Sequence, residues 1–264
     1  MQRGSLFWGL VLIAVGAVFL LGNLFGIDAW KLTGPGLLIL FGLWVLWGAT
    51  LAPRSAPVQS LTVASEGAAR GRLVLHHGAG VLRLGPGAAP GELVVGEFVG
   101  GVTHSTRREG DALQVDLRVP TGNLFLFGAP WAWHRGFEWT LRLSNTLPLS
   151  LRLESGAGEA NIDLTDLKVA DLQISTGASS TILRLPANAG STRARIEAGV
   201  ASVRIFVPEG VAASIHATGG LADQRIDRAR FPRTGARYQS PDYETAANKV
   251  EIHVQTGVGS VEVH

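Results

Sequence analysis

Residues 151–208, LRLESGAGEANIDLTDLKVADLQISTGASSTILRLPANAGSTRARIEAGVASVRIFVP, contain one pattern three times. In each copy, apolar residues stand five and three places before a glycine and six and eight places after it. The glycines are Gly156, Gly177 and Gly199, so the repeat is about 21 residues long. Alternation of apolar and polar residues is typical of a strand with one buried face. The stretch therefore predicts strand, glycine corner, strand and turn in each copy.

Further copies of the pattern flank this stretch on both sides. The predicted corner glycines are Gly78, Gly156, Gly177, Gly199, Gly220 and Gly257. Glycine at a corner permits a positive φ and a close approach of backbones. One copy cannot bury its own apolar face, whereas stacked copies bury a continuous core. We therefore expect residues 72–264 to form an all-β, β-solenoid-like stacked sheet. An ordinary β-sandwich with regular turn spacing is the alternative.

The first 52 residues differ from the rest in hydropathy. Residues 6–27 and 34–52 are two runs without a formal charge. The first is long enough, at about 1.5 Å per helical residue, to cross a hydrocarbon core of about 30 Å. The runs predict a two-span α-helical membrane hairpin over residues 1–52. A cleaved signal peptide is the alternative, but its apolar core is normally about 7–15 residues long.

The hairpin is followed by residues 53–71, in which prolines and serines predict a linker. Arg3 precedes the first span and Arg54 follows the second, whereas Lys31 in the connecting turn is offset by Asp28. The positive-inside rule then places both ends of the hairpin on the cytoplasmic side. We expect the chain to lie in a membrane with its β domain on the cytoplasmic side.

Composition and motifs argue against an enzyme. The chain has no cysteine and a net charge of only +2, so neither a thiolate site nor a nucleic-acid-binding face is expected. Phosphate-loop, nucleophile-elbow and zinc-protease motifs are absent from the sequence. A polysaccharide-cleaving solenoid would need paired carboxylates on neighbouring copies. The equivalent positions six places before the glycines hold Ser150, Asp171 and Arg193. No catalytic residue, cofactor or metal site is predicted.

Two segments are candidate interaction surfaces. The first is rich in aromatic residues: Phe125, Phe127, Trp131, Trp133 and Phe137. If exposed it would mark a partner or membrane site, and otherwise it is a cap over one end of the stack. The second lies in the 37-residue interval between Gly220 and Gly257, which we expect to be a long loop. Its arginines are Arg225, Arg228, Arg230, Arg233 and Arg237, which form either a basic patch for an anionic partner or an ordinary solvated loop.

Several stretches resemble a known family. RGSLFWGL at 3–10 and LLGNL at 20–24 are similar to the transmembrane hairpin of the LiaI/LiaF group of bacterial cell-envelope stress proteins. The β half resembles the toastrack domain of LiaF-like proteins. The stretches that carry this second resemblance are WTLRL at 139–143, LPL at 147–149, GAGEANIDL at 156–164, LKV at 167–169, SPDY at 240–243 and GVGSVEV at 257–263.

The resemblance implies a membrane-anchored, non-enzymatic regulator that restrains a sensor histidine kinase until the envelope is stressed. The resemblance places the chain in a bacterial cytoplasmic membrane and implies a membrane protein such as that kinase as a partner. The hairpin makes the lipid bilayer a second partner, and a second copy of the chain is a further candidate. The family supplies no catalytic residues. A structural or adhesin-like β scaffold that self-associates at the membrane is the alternative function.

Overall fold

Thirteen β-strands make up the regular structure of the part of the chain that the computed structural model describes, residues 58–120 and 137–264. They are β1 Val58–Ala64, β2 Arg70–Pro86, β3 Glu92–Val99, β4 Thr103–Glu109, β5 Ala112–Arg118, β6 Phe137–Leu143, β7 Pro148–Asp163, β8 Lys168–Arg184, β9 Ser191–Phe206, β10 Ala212–Ile226, β11 Arg233–Thr234, β12 Arg237–Gln239 and β13 Lys249–Val263. The prediction of an all-β domain is confirmed. Within the described residues, no helix is long and apolar enough to cross a bilayer.

The six long strands form one parallel stack. Their order is β2-β7-β8-β9-β13-β10, and each pair is parallel. The alternation of buried residues changes phase at the glycine, as in β8 between Ile174 and Leu183, although both sets belong to one core. Each strand therefore bends at a corner that joins a first arm to a second arm, and we call each bent strand a rung. The registers place all six predicted corner glycines at the same position in successive rungs. The 21-residue spacing is therefore the length of one rung and its turn.

The core lies inside the bend and is lined by both arms of β2, β7, β8, β9 and β13, whereas the buried residues of β10 all lie in its first arm. In β8, Leu172 and Ile174 of the first arm and Leu183 of the second arm are at most 4% exposed. The residues between them along each arm face outward and are more exposed. Because the registers align equivalent residues, the buried side chains form continuous apolar columns along the stack. Alternation in the sequence thus becomes a core shared by all rungs.

The stack begins at β2, where the sheet divides into two branches. The first arm of β2 pairs with β5, which pairs with β4. Its second arm pairs with β6, which leads to β3 and then β1. Trp139 on β6 is fully buried, with its ring centroid 5.1 Å from that of Phe98 and 5.2 Å from that of His77. These edge-on aromatic contacts fill the core at this end of the stack.

The boundary predicted for the β domain is too late in the chain. Val58–Ala64, assigned to the linker, forms β1 and pairs antiparallel with β3. Val63 in this strand is buried, so the segment adds to the core although prolines and serines surround it. The second strand begins at Arg70. The predicted hairpin of residues 1–52 and the start of the linker, 53–57, lie outside the described residues.

The order of the last two rungs also differs from chain order. The rung of Gly257, β13, lies between β9 and β10, so the Gly220 rung is the outermost. The side chains explain the exchange. At one inward position of the second arm β13 has the buried Val261, whereas β10 has the exposed Gln224. A polar residue at an inward position suits the edge of the stack better than its interior.

The interval after Gly220 is not a single loop. It contains the second arm of β10 and the short hairpin β11–β12. The hairpin pairs with the first arm of β10 at Ser214 and Ile215, and so covers that arm. Arg225 lies on β10, Arg233 on β11 and Arg237 on β12, so three of the five predicted loop arginines belong to strands.

Candidate functional site at the outer corner

The corners are tight because glycine backbones stack directly on each other. A β-carbon at Gly257 would lie 2.7 Å from the carbonyl oxygen of Gly199, and one at Gly220 would lie 3.1 Å from that of Gly257. The expected positive φ is wrong for these six glycines, none of which has one. Positive φ occurs two residues later, at Gly80, Gly158 and Gly259. Close backbone approach, the other reason considered for glycine, is the one that applies.

An apolar column runs along the outside of the bend, immediately after the glycine of each rung. In stack order its members are Ala79, Ala157, Ala178, Val200, Val258 and Leu221. The side chains are small on the first three rungs and large on the last three. Val200 is 60% exposed, Val258 45% and Leu221 80%. Neighbouring rungs lie about 4.8 Å apart, so these three side chains form one continuous surface, which we call the outer-corner ridge.

Polar groups border the ridge along the second arm. The Ser260 hydroxyl on β13 donates to the Ser202 hydroxyl on the neighbouring rung, β9, at 3.1 Å. The Arg225 guanidinium lies 2.9 Å from the Asp223 carboxylate and 3.7 Å from that of Glu262. Exposed apolar patches with a polar rim are typical of sites where proteins bind one another. The ridge therefore has the character of a docking surface.

Buried polar side chains lie on the inside of the corner. His77 is 4% exposed, and its Nε2 lies 3.4 Å from the carbonyl oxygen of Phe137. Burial lowers the pKa of His77 below its ordinary value, so the ring is neutral at pH 7. Its Nδ1 and the hydroxyls of Thr176 and Thr256 have no partner within the described residues. No group of three or more metal-ligating side chains is assembled in that part of the chain.

On the outer face of the first arms, basic and acidic side chains pair at the start of the stack, between β2 and β7 and within β5 and β7. His76 Nδ1 lies 2.8 Å from the Glu154 carboxylate, which also accepts from Arg152 at 2.9 Å. On the neighbouring strand, Arg118 donates to Asp116 at 2.7 Å and holds the pKa of that carboxyl below its ordinary value. Each acid has a basic partner, so this arrangement stabilises the strands and offers no general base.

The predicted aromatic patch is described at one residue. Phe125, Phe127, Trp131 and Trp133 lie outside the described residues. Phe137 is half-buried and its ring lies over the first corner, where a β-carbon at Gly78 would be 4.0 Å from it. A β-carbon at Gly100 would overlap the same ring. Phe137 therefore packs against the first rung.

The predicted arginines have different roles. Arg230 donates to the carbonyl oxygens of Val207, Pro208 and Val211, and its guanidinium lies 5.0 Å from the Phe231 ring centroid. Arg225 has the carboxylate partners given above, and Arg228 is exposed. Arg230 is thus a structural residue that holds the turn before β10.

Two family models match overlapping parts of the chain. The family model described as the N-terminal domain of toast_rack, DUF2154, matches residues 53–206, more than half of the chain. The chain belongs to the toast-rack family. A second model, described as cell wall-active antibiotics response LiaF, C-terminal, matches residues 156–263. The predicted resemblance to LiaF-like toastrack proteins is confirmed for the β domain.

A solved structure shares the toast-rack fold. It is described as "a putative cell adhesion protein from Clostridium sporogenes", and it is 20% identical to this chain with a TM-score of 0.71. The likeness covers 78% of this chain and 98% of that one. At this identity the likeness concerns the fold alone. No curated protein matches the chain.

The outer-corner ridge was missed by the sequence analysis, although a signal for it exists. The residue after each corner glycine is apolar in all six copies and becomes larger toward the C-terminal copies. Only the register of the stack shows that Val200, Val258 and Leu221 are neighbours.

Proposed function

We propose that this toast-rack protein is a membrane-anchored, non-enzymatic regulator of the cell-envelope stress response, and that its β domain docks on a membrane-protein partner through the outer-corner ridge. The observation that carries the proposal is the exposure of Val200, Val258 and Leu221 on three adjacent rungs. A soluble surface gains nothing from three large apolar side chains in a row, whereas a docking surface gains their burial.

The family supports the physiological part of the proposal. The description of the LiaF-like family model names a response to cell wall-active antibiotics. The proposed partner is a sensor histidine kinase in the same membrane. A two-span anchor over residues 1–52 would hold the β domain near it, and the apolar ridge would contact it. The proposed topology places the β domain in the cytoplasm, where such a kinase has its catalytic part.

A deletion strain of the native host tests the function. Transcription is compared with and without a cell wall-active antibiotic, in the parent, in the deletion strain and in the deletion strain carrying the full chain. We expect envelope-stress transcripts to rise in the deletion strain without antibiotic and to return to the parental level with the full chain. Identical transcription in parent and deletion strain would contradict the proposal.

The topology has its own test, because the chain contains no cysteine. Glu209→Cys places a single thiol at an exposed turn of the β domain. A membrane-impermeant maleimide should label this variant only after lysis if the domain is cytoplasmic. Labelling of intact cells would place the domain outside and remove a cytoplasmic kinase domain from the list of partners.

A self-associating scaffold is the second candidate function. The observation that favours it is the edge of β10, because the outer side of its second arm has no pairing strand among the described residues. The fold neighbour described as a cell adhesion protein agrees with this alternative. A scaffold predicts long polymers of the chain at the membrane, and sedimentation that shows only small species would exclude it.

A further inference from the structure

The second arm of β10, residues 221–226, forms an outer edge of the stack. Its inner side pairs with β13 as far as Ile226. On the outer side, β12 pairs with β10 only at Ser214 and Ile215, in the first arm. The outer side of 221–226 therefore has no pairing strand in the described part of the chain. Unpaired edge groups are a template on which another strand can pair.

The backbone direction along this edge is fixed by the hydrogen bond at its end. The Asp227 N–H donates to the Val263 carbonyl oxygen on β13 at 3.1 Å, so the backbone groups of Asp227 face the stack. Successive residues of a strand direct their backbone groups to alternate sides. Ala222, Gln224 and Ile226 consequently present their N–H and C=O groups to the open edge.

The side chains of the same segment are complementary to themselves. In an antiparallel pair of two such strands centred on Gln224, Asp223 of one copy lies opposite Arg225 of the other, and the reverse pair forms by symmetry. Ala222 then lies opposite Ile226, and both are half-buried apolar residues. Directly opposite residues of unlike charge stabilise an antiparallel pair, and like charges destabilise it.

We propose that two copies of the chain pair antiparallel along the second arms of β10, with Gln224 at the two-fold axis. This register places Gln224, whose backbone groups face outward, in a hydrogen-bonded pair with itself. Asp223 and Arg225 fall in the non-hydrogen-bonded pairs, where side chains are closer. An isologous contact of this kind closes as a dimer and does not continue into a polymer. The pairing goes beyond partner docking, since Val200 and Val258 of the ridge lie on other rungs and only Leu221 belongs to the pairing arm.

Charge reversal tests the pairing. Dimerisation of the full-length chain is measured by sedimentation in detergent solution. The wild-type chain should show a concentration-dependent dimer. Asp223→Arg alone creates two Arg–Arg pairs and Arg225→Asp alone creates two Asp–Asp pairs, so each should raise the dimer dissociation constant by on the order of tenfold or more. A mixture of the two variants has only opposite-charge pairs and should dimerise again. Circular dichroism checks that each variant is folded.

Cysteine cross-linking tests the register. Residues opposite each other in a non-hydrogen-bonded pair have Cα atoms about 4.5 Å apart, within the range for a disulfide. Differently tagged Asp223→Cys and Arg225→Cys chains should therefore cross-link when mixed under oxidising conditions. Two Asp223→Cys chains are offset diagonally by about 7–8 Å and should cross-link little. Glu209→Cys on an exposed turn is the matched control.

The following results would overturn the proposal. A wild-type chain that stays monomeric at all concentrations, or single reversals that dimerise as well as wild type, would remove the pairing. Stronger cross-linking of Asp223→Cys to itself than to Arg225→Cys would remove the register. Cross-linking of Asp223→Cys in cells to another protein, without the homodimer, would assign the edge to an extended segment of a partner. None of these results bears on the antibiotic response of the deletion strain, so the two proposals fail separately.

Discussion

A β-carbon at Gly177 would lie 2.6 Å from the carbonyl oxygen of Gly156, its counterpart one rung away. Real β-carbons do not approach a carbonyl oxygen this closely, so a side chain at either corner would push neighbouring rungs apart. The glycines thus act through distance between backbones and not through their own φ. Their close stacking also fixes the spacing of the outer-corner ridge that follows them.

Replacement of a corner glycine should destabilise the stack. We expect Gly177→Ala to lower the free energy of unfolding by about 1–3 kcal/mol, the usual cost of overpacking. Thermal unfolding of the full chain, followed by circular dichroism, measures the change. Gly78→Ala is the matched control, because a β-carbon there meets only side-chain atoms, the nearest at 3.8 Å. Equal losses in the two variants would show that backbone approach is not the reason for glycine.

The position two residues after the corner should also be specific for glycine in some rungs. Gly158 has a φ of 139°, and a β-carbon on it would overlap the carbonyl oxygen of Gly80. The same register position in the next rung holds Ser179, which has no positive φ. Gly158→Ser should therefore cost about 1–3 kcal/mol, whereas Ser179→Ala should have little effect. A Gly158→Ser variant as stable as wild type, by the same unfolding measurement, would contradict this account.

The buried His77 predicts loss of stability in mild acid. Burial lowers its folded-state pKa, so the unfolded chain binds a proton more readily than the folded one. The contribution of neutral His77 to the free energy of unfolding is complete above the ordinary histidine pKa of about 6.5. It falls as the pH drops below that value. His77→Gln should make the melting temperature less dependent on pH between about pH 7 and pH 5. His104→Gln, at an exposed site on β4, should keep the wild-type dependence; an unchanged slope in His77→Gln would contradict the assignment.

Arg230 should matter for stability more than the other predicted loop arginines. Its guanidinium donates to three carbonyl oxygens before β10, a fork that a lysine ammonium cannot reproduce. We expect Arg230→Lys to cost about 1–3 kcal/mol, because buried acceptors lose their donor. Arg228→Lys, at an exposed position, should be neutral in the same melting experiment. If the two variants are equally stable, Arg230 is not the residue that holds this turn.

Much of the stack could be predicted because the repeat is local. Each rung carries its own alternation and its own glycine, so Gly156, Gly177 and Gly199 could be aligned from spacing alone. The exchange of β13 and β10 could not be predicted in this way, because it depends on which rung tolerates the edge. Only the register shows that Gln224, a polar residue, stands at an inward position and suits the edge. The strand at Val58–Ala64 was missed because it pairs with the distant β3 and has no copy of the repeat.

The candidate site was harder to predict than the fold. Exposure of Val200, Val258 and Leu221 depends on the direction of the corner, and an apolar residue in an alternating strand is more often buried. The arginines were grouped by closeness in sequence, but folding gave Arg225 carboxylate partners and Arg230 carbonyl partners. Chemistry at a surface arises from neighbours in different rungs, which the spacing of one rung does not reveal.

Replacement of the ridge in the native host tests the central claim most directly. The deletion strain is complemented with a triple variant, Val200→Ser, Val258→Ser and Leu221→Ser, whose sites are exposed and should tolerate the change. The matched control is Ser60→Ala, Ser105→Ala and Ser191→Ala, at exposed sites on β1, on β4 and at the start of β9, away from the ridge and its polar border. Envelope-stress transcription is then measured with and without a cell wall-active antibiotic. We predict that the serine control restores the parental response and the ridge variant does not. Full restoration by the ridge variant, at equal protein level, would contradict docking through the outer corner.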